Sequence, residues 1–189
     1  MKTIYLSLII LILLSFQNLH AQTSENSSVK MSDENLLKKS PEVSEELLNT
    51  EIVLTNDEKI KLADYKNDII VLCFVTEWVI SARTITSALG ELHTENLKNV
   101  RIIAVSPDDT KSELQNFKKF VKDFKIEFQS GWANKKFTNE FFNITKFRGI
   151  PQSFVIKDGK LRGIFRGTSP KINESLMNLV RKISAEANR

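Results

Sequence analysis

Few residues in this sequence are of the types that do chemistry. The one thiol is Cys73, inside the apolar run from Ile69 to Val75. A lone cysteine excludes an intramolecular disulfide, a cysteine-rich zinc site and a CxxC redox pair within one chain. A thiol in the middle of a buried strand behaves as a small hydrophobe with a raised pKa, so packing is the expected role of Cys73. The two histidines, His20 and His93, are too few for a multi-histidine metal site. Glu91 and Glu95 lie two positions either side of His93 and do not share its helix face, which leaves it a solvated surface residue. Asp108 and Asp109 after Pro107 read as turn and capping residues rather than paired catalytic carboxylates. The lysines at 111, 118, 119, 122 and 125 partly line one helix and read as a solvated face. These residues imply no metal and no other cofactor.

The rest of the chain must fold around that sparse set. With 189 residues, 41% hydrophobic and 26% charged, there is room for one ordinary domain plus flanking segments. Collagen-like, low-complexity and wholly disordered chains are excluded. The formal charge of +4 is spread along the sequence rather than gathered into one block. Such a balance gives little support for nucleic acid as a partner.

From residue 51 onward strand and helix signals alternate. Glu51–Leu54 and Ile60–Leu62 flank the polar turn Asn56-Asp57-Glu58-Lys59, a hairpin pattern. Ile69 to Val75 has the continuous apolar character of a central strand covered on both faces. Val79, Ala82, Thr86, Leu89 and Leu92 recur at helical spacing. Val100 to Val105 is a second buried strand. Thr110 with Glu113 forms a capping box before a helix whose buried stripe is Leu114, Phe117, Val121 and Phe124. Ile126–Gln129 is expected as a short strand, and Phe137 with Phe141 marks another helical face. Gln152–Ile156 and Leu161–Arg166 flank Asp158-Gly159, a favoured hairpin turn. Pro170 opens a last helix with the stripe Ile172, Leu176, Leu179 and Ile183. Ahead of all this, Ser40 and Pro41 cap a short helix through Leu48. The order gives an α/β sandwich around a central mixed β-sheet.

The first residues carry a different signal. Lys2 precedes a stretch from Ile4 to Phe16 broken only by Ser7 and Ser15, and Ala21 is small. This reads as a secretory signal peptide over 1–21, cut after Ala21. The alternative is a retained anchor helix, although Gln17, Asn18 and His20 shorten its apolar span. Residues 22–50 follow as linker and short helical segment. Cleavage places the mature chain outside the cytoplasm, in the periplasm or an equivalent compartment, with no stable membrane span.

The motifs from residue 51 onward resemble the thioredoxin-like superfamily, in its extracytoplasmic TlpA and ResA type branch. The opening hairpin Glu51–Leu62, the link Leu62-Ala63-Asp64-Tyr65-Lys66 and the strand-to-helix segment Val71 to Trp78 are similar to that family. So are Gly149-Ile150-Pro151 with the strand after it, Asp158-Gly159-Lys160 and Gly167. The resemblance implies a thioredoxin-like domain over 51–189, an N-terminal β-hairpin, and a cis-proline loop at Ile150-Pro151. It also implies a W-C-x-x-C redox site at a helix start. Here that segment reads Trp78-Val79-Ile80-Ser81-Ala82-Arg83. Trp78 and Arg83 match, whereas Val79 and Ala82 stand at the two redox-cysteine positions, so no catalytic residue is expected there.

The expectation is a redox-inactive protein that holds an extracytoplasmic peptide or protein non-covalently in a groove of Trp78, Val79, Ile150 and Pro151. Trp78 would be its aromatic anchor, or else pack the helix start against the sheet. Two alternatives stand beside it. One is a thiol–disulfide oxidoreductase acting in cell redox homeostasis, by analogy of fold. The other is a structural or assembly protein of the envelope.

Overall fold

The computed structural model describes residues 41–107 and 110–187. The expected signal peptide, the expected linker up to Ser40 and the Asp108-Asp109 pair lie outside the described residues.

Helix α1 (Glu45–Leu48) is followed by strands β1 (Glu51–Leu54) and β2 (Lys59–Lys61), a 3-10 turn (Leu62–Tyr65) and strand β3 (Ile69–Phe74). Then come α2 (Ser81–Thr94), β4 (Val100–Ser106), α3 (Lys111–Asp123), β5 (Gln129–Ala133) and α4 (Lys135–Thr145). Strands β6 (Gln152–Lys157) and β7 (Lys160–Arg166) and helix α5 (Pro170–Ala187) complete the order. The seven strands form one sheet in the order β2-β1-β5-β4-β3-β6-β7. Strand β3 runs parallel to β4 and β4 to β5; the other pairs are antiparallel. The fold is α/β and thioredoxin-like, a mixed central sheet with helices on both faces.

Every residue of β3 is buried, as a central strand of this kind requires. Its side chains alternate between two cores. Ile69, Val71 and Cys73 face a layer built with α2, α3 and α5. Ile70, Leu72 and Phe74 face a layer built with α1 and α4. The second layer is rich in rings. Phe74 lies 5.2 to 6.1 Å from the centroids of Phe137, Phe141, Phe142 and Phe154. Such pairs contribute about 0.5–1.5 kcal/mol each beyond their buried area.

Four local expectations are corrected. Ser40 and Pro41 do not open α1; Ser44 caps it, its Oγ accepting from Leu47 N–H at 3.3 Å. Pro41–Val43 is instead extended along the β6–β7 turn, where Pro41 C=O accepts from Leu161 N–H and Val43 N–H donates to Gly159 C=O. Helix α3 starts after Thr110, but the Thr110 hydroxyl lies against Ser112 and no capping box closes. Phe124, placed in the buried stripe, is 42% exposed, because α3 stops at Asp123 and Phe120 takes the core position. The strand expected at 126–129 lies at Gln129–Ala133. Gly131 makes that pairing feasible: a Cβ there would sit 2.2 Å from Val53 O on β1.

The β6–β7 turn adopts positive φ at Asp158 (54°) and Gly159 (70°), the geometry that Asp-Gly favours.

Candidate functional site

Strand β3 ends at Phe74, and its register with β6 pairs Phe74 with Gln152. The segment after β3 is thereby set level with the loop before β6. That end of the sheet gathers Trp78, Val79, Ile150 and Pro151. The Ile150–Pro151 peptide bond is cis. Pro151 is buried, and its C=O accepts from Gly167 N–H at 2.8 Å, which ties the loop to the end of β7.

The two sides of this site differ in what they expose. Trp78 is 64% exposed and Ile80 91%, so neither packs the helix start against the sheet. Val79 is half-buried, and Ala82 is fully buried in the layer under α2. Ala82 N–H donates to Val79 C=O at 2.8 Å, a tight turn leading into α2. Residues three apart across such a turn bring their Cα atoms within about 7 Å, the outer limit for a disulfide span. The geometry for a dithiol is present, but the side chains are an isopropyl and a methyl group.

Opposite, the Ile150 side chain rests on the phenylalanine-rich core. Its backbone N–H and C=O have no hydrogen-bond partner among the described residues. The loop is held from behind. Gln152 Nε2 donates to Phe147 C=O at 3.2 Å, and Arg166 Nη2 donates to Thr145 C=O at 2.8 Å. The Arg166 guanidinium also lies 5.5 Å from the Phe147 ring centroid. Thr76 Oγ1 and Gln152 Oε1, both fully buried here, lack hydrogen-bond partners. Unpaired buried oxygens cost about 1–3 kcal/mol each; Gln129 Oε1 and Thr138 Oγ1 are also without a partner among the described residues.

Cys73 sits apart from all this. It is completely buried in β3, paired across the sheet with Ser153. Burial pushes its thiol pKa up to about 12, with the Ser153 hydroxyl pulling weakly the other way. Burial thus favours the protonated thiol and keeps the sulfur from solvent in the folded protein. His93 is exposed and meets the edge of Phe128 at 6.2 Å. It lines an open groove of about 310 Å³ along α2, walled by Arg83, Gly90, Phe124 and Phe128. Among the described residues no cluster of His, Cys, Asp or Glu could hold a metal ion, and no helix is long and apolar enough to cross a membrane.

Sequence reasoning passed over Ile80, Phe147 and Arg148 as parts of this end of the fold. Ile80 reads as one more apolar residue near a helix stripe, and only its position before the first turn of α2 turns it outward. For Phe147 and Arg148 the available signal was adjacency to Gly149-Ile150-Pro151.

The fold recurs among solved structures. A mutant of PrxQ from Xylella fastidiosa is 18% identical with a TM-score of 0.61, covering 78% of this chain and 95% of its own. The thioredoxin domain of a thiol-disulfide oxidoreductase from Bacteroides vulgatus is 18% identical, TM-score 0.59, covering 71% and 91%. The exposed lipoprotein thioredoxin of Streptococcus pneumoniae is 17% identical, TM-score 0.58, covering 70% and 97%. At these identities the likeness is one of fold. No curated protein matches the sequence. The sequence profile of the AhpC/TSA family matches residues 42–164, well over half of the chain, and the protein belongs to that family.

Proposed function

We propose that this protein is a redox-inactive member of its family that binds an extended segment of an extracytoplasmic partner without covalent chemistry. Its motifs resemble those of the TlpA and ResA type proteins, whose W-C-x-x-C corresponds here to Trp78-Val79-Ile80-Ser81-Ala82. One observation carries the reading: an Ile150 backbone with no hydrogen-bond partner among the described residues stands at the same end of the sheet as a helix start that lacks a thiol. Free N–H and C=O groups at such an end accept an added strand, whose main-chain hydrogen bonds supply affinity. Exposed Trp78 supplies an aromatic anchor, and Val79 an apolar floor. The proposed compartment rests on the basic-then-apolar start of the sequence. The pneumococcal neighbour, itself described as an exposed lipoprotein, is compatible with it.

The similar structures include thiol-disulfide oxidoreductases, and an insulin-reduction assay with dithiothreitol decides between that activity and the proposed one. Disulfide exchange needs an attacking thiolate at an accessible position. The expected result is no turnover above background for the wild type and for Cys73→Ser. The double change Val79→Cys, Ala82→Cys should create turnover, because the turn and the proline loop are already formed. Wild-type turnover that persists in Cys73→Ser, or that vanishes only in Cys73→Ser, would overturn the redox-inactive reading.

A further inference from the structure

Positive charge predominates on the loop side of the groove. Between Phe141 and Asn173 the only carboxylate is Asp158. It sits in the β6–β7 turn, at the far end of β6 from Gln152, paired with Lys157 at 2.7 Å. The loop leading to the cis-proline carries Lys146 and Arg148, both exposed, and neither has an ion-pair partner among the described residues. Lys146 closes α4 in the left-handed conformation at φ 52°, which fixes its backbone at the loop's start. Arg148 reaches only a neutral partner, donating to Asn139 Oδ1 at 3.3 Å. The carboxylates on neighbouring elements are Glu77, just before Trp78, and Glu140 on α4, whose field acts on Lys136.

Apolar surface and uncompensated positive charge therefore meet at one edge. Trp78 and Ile80 stand on the α2 side; Phe147, 39% exposed, stands on the loop side with Lys146 and Arg148 around it. Resting on the strand-addition reading above, we propose that the segment held here is acidic as well as apolar. An apolar side chain would sit on Trp78 and Val79, while flanking Asp or Glu residues meet Lys146 and Arg148. A basic or neutral segment of the same shape would leave the loop's two cations unmatched. Charge complementarity of this kind selects partners and speeds encounter more than it adds raw affinity.

The experiment uses three short peptides with one shared valine core, flanked by glutamates, serines or lysines, titrated against the purified protein. At low salt the glutamate peptide should bind at least about ten-fold tighter than the serine peptide, and the lysine peptide weakest. The advantage should shrink at ~0.5 M NaCl, where charges more than a few ångströms apart are screened. Arg148→Glu should remove it without lowering the unfolding temperature. Lys146→Asn, which tolerates positive φ, is the second variant and should halve it or more. If glutamate and serine peptides bind equally and both are lost in Trp78→Ala, the acidic preference is overturned and the groove stands. If the glutamate peptide binds tightest but Trp78→Ala leaves its affinity unchanged, the charge acts elsewhere and both inferences fall. Binding by none of the three overturns the groove itself.

Discussion

Two stretches of chain separated by three residues have opposite fates. Strand β3, with the only thiol, is sealed from solvent along its whole length. The segment from Trp78 to Ile80 puts a large aromatic and a branched aliphatic side chain into water. In a chain built for thiol chemistry the sulfur would be exposed and the apolar groups buried. Here the reactive type lies in the dry core, and the accessible end of the sheet offers hydrophobic contact and unpaired backbone. On the proposed function, the difference fits a fold that serves as a holder. On that reading β3 belongs to the stabilising core, and the proposed partner would be met by the segment beyond it.

The sharpest way to test that division is a pair of truncations, Phe74→Ala and Trp78→Ala. Phe74 is fully buried among four phenylalanine rings. Its loss removes transfer energy and leaves a cavity that rigid neighbours cannot fill, about 3–5 kcal/mol in a core site. Trp78 is mostly solvated, so the same truncation should cost under ~1 kcal/mol of stability. It should instead weaken partner binding by roughly 2 kcal/mol, as for an interface anchor. Urea unfolding and a binding titration on both variants measure the contrast. A Trp78→Ala loss of stability comparable to that of Phe74→Ala would erase the distinction between holder and held surface.

The sequence made much of this architecture legible, and for identifiable reasons. β3, β4 and the β6–β7 hairpin were readable because their apolar runs are continuous and Asp158-Gly159 has one favoured turn geometry. β5 was misplaced because its centre is Ser130-Gly131-Trp132, which lacks branched residues. Its glycine answers to the approach of Val53 from a strand some eighty residues earlier in the chain. Local patterning carries no information about such a neighbour. At the site, Trp78, Val79, Ala82 and Pro151 could be singled out by motif order alone. The exposure of Ile80, the unpaired Ile150 backbone and the cations on the loop are products of tertiary placement, and periodicity does not encode them.

The buried thiol offers a second, smaller test on the β3 side. Its pKa is raised from 9.0 to about 12 by burial, so the unfolded chain ionises first as pH rises. A raised folded-state pKa leaves stability intact below the unfolded value and erodes it between the two values. Above pH 9 the wild type should lose about 1.4 kcal/mol per pH unit from this group alone. Cys73→Ala lacks the group and should show a shallower slope, whatever other residues titrate there. The two slopes, measured by urea unfolding from pH 8 to 11, should be equal below pH 9 and diverge above it. A thiol reagent should label the wild type only once it unfolds. Rapid labelling of the folded protein near pH 8 would show that β3 opens, and the contrast with the segment beyond it would weaken.

The smallest expected effect lies at the opposite end of α2 from the site. Glu95, just past that helix, receives the Arg181 fork from α5, with Nη2–Oε1 at 2.5 Å and Nε–Oε2 at 3.0 Å. The Arg181 hydrogen bonds hold the Glu95 carboxyl below its ordinary value of 4.5, outweighing a small opposing effect of burial. A lowered folded-state pKa gives stability that is present above the unfolded value and lost as pH falls through the folded one. Both side chains are substantially solvated, so the pair is worth at most ~1 kcal/mol despite its two-pronged geometry. Glu95→Gln should cost no more than that at pH 7, and less in high salt. The gap between variant and wild type should narrow as pH falls below the ordinary glutamate value, as the folded-state carboxylate also takes up its proton. Urea midpoints at pH 7 and across that acid range give the answer. A loss well above 2 kcal/mol at pH 7 that persists undiminished in acid would mean that Glu95 holds α2 against α5 by packing rather than charge. In that case the helix that carries the site would be anchored at its far end as firmly as β3 is in the core.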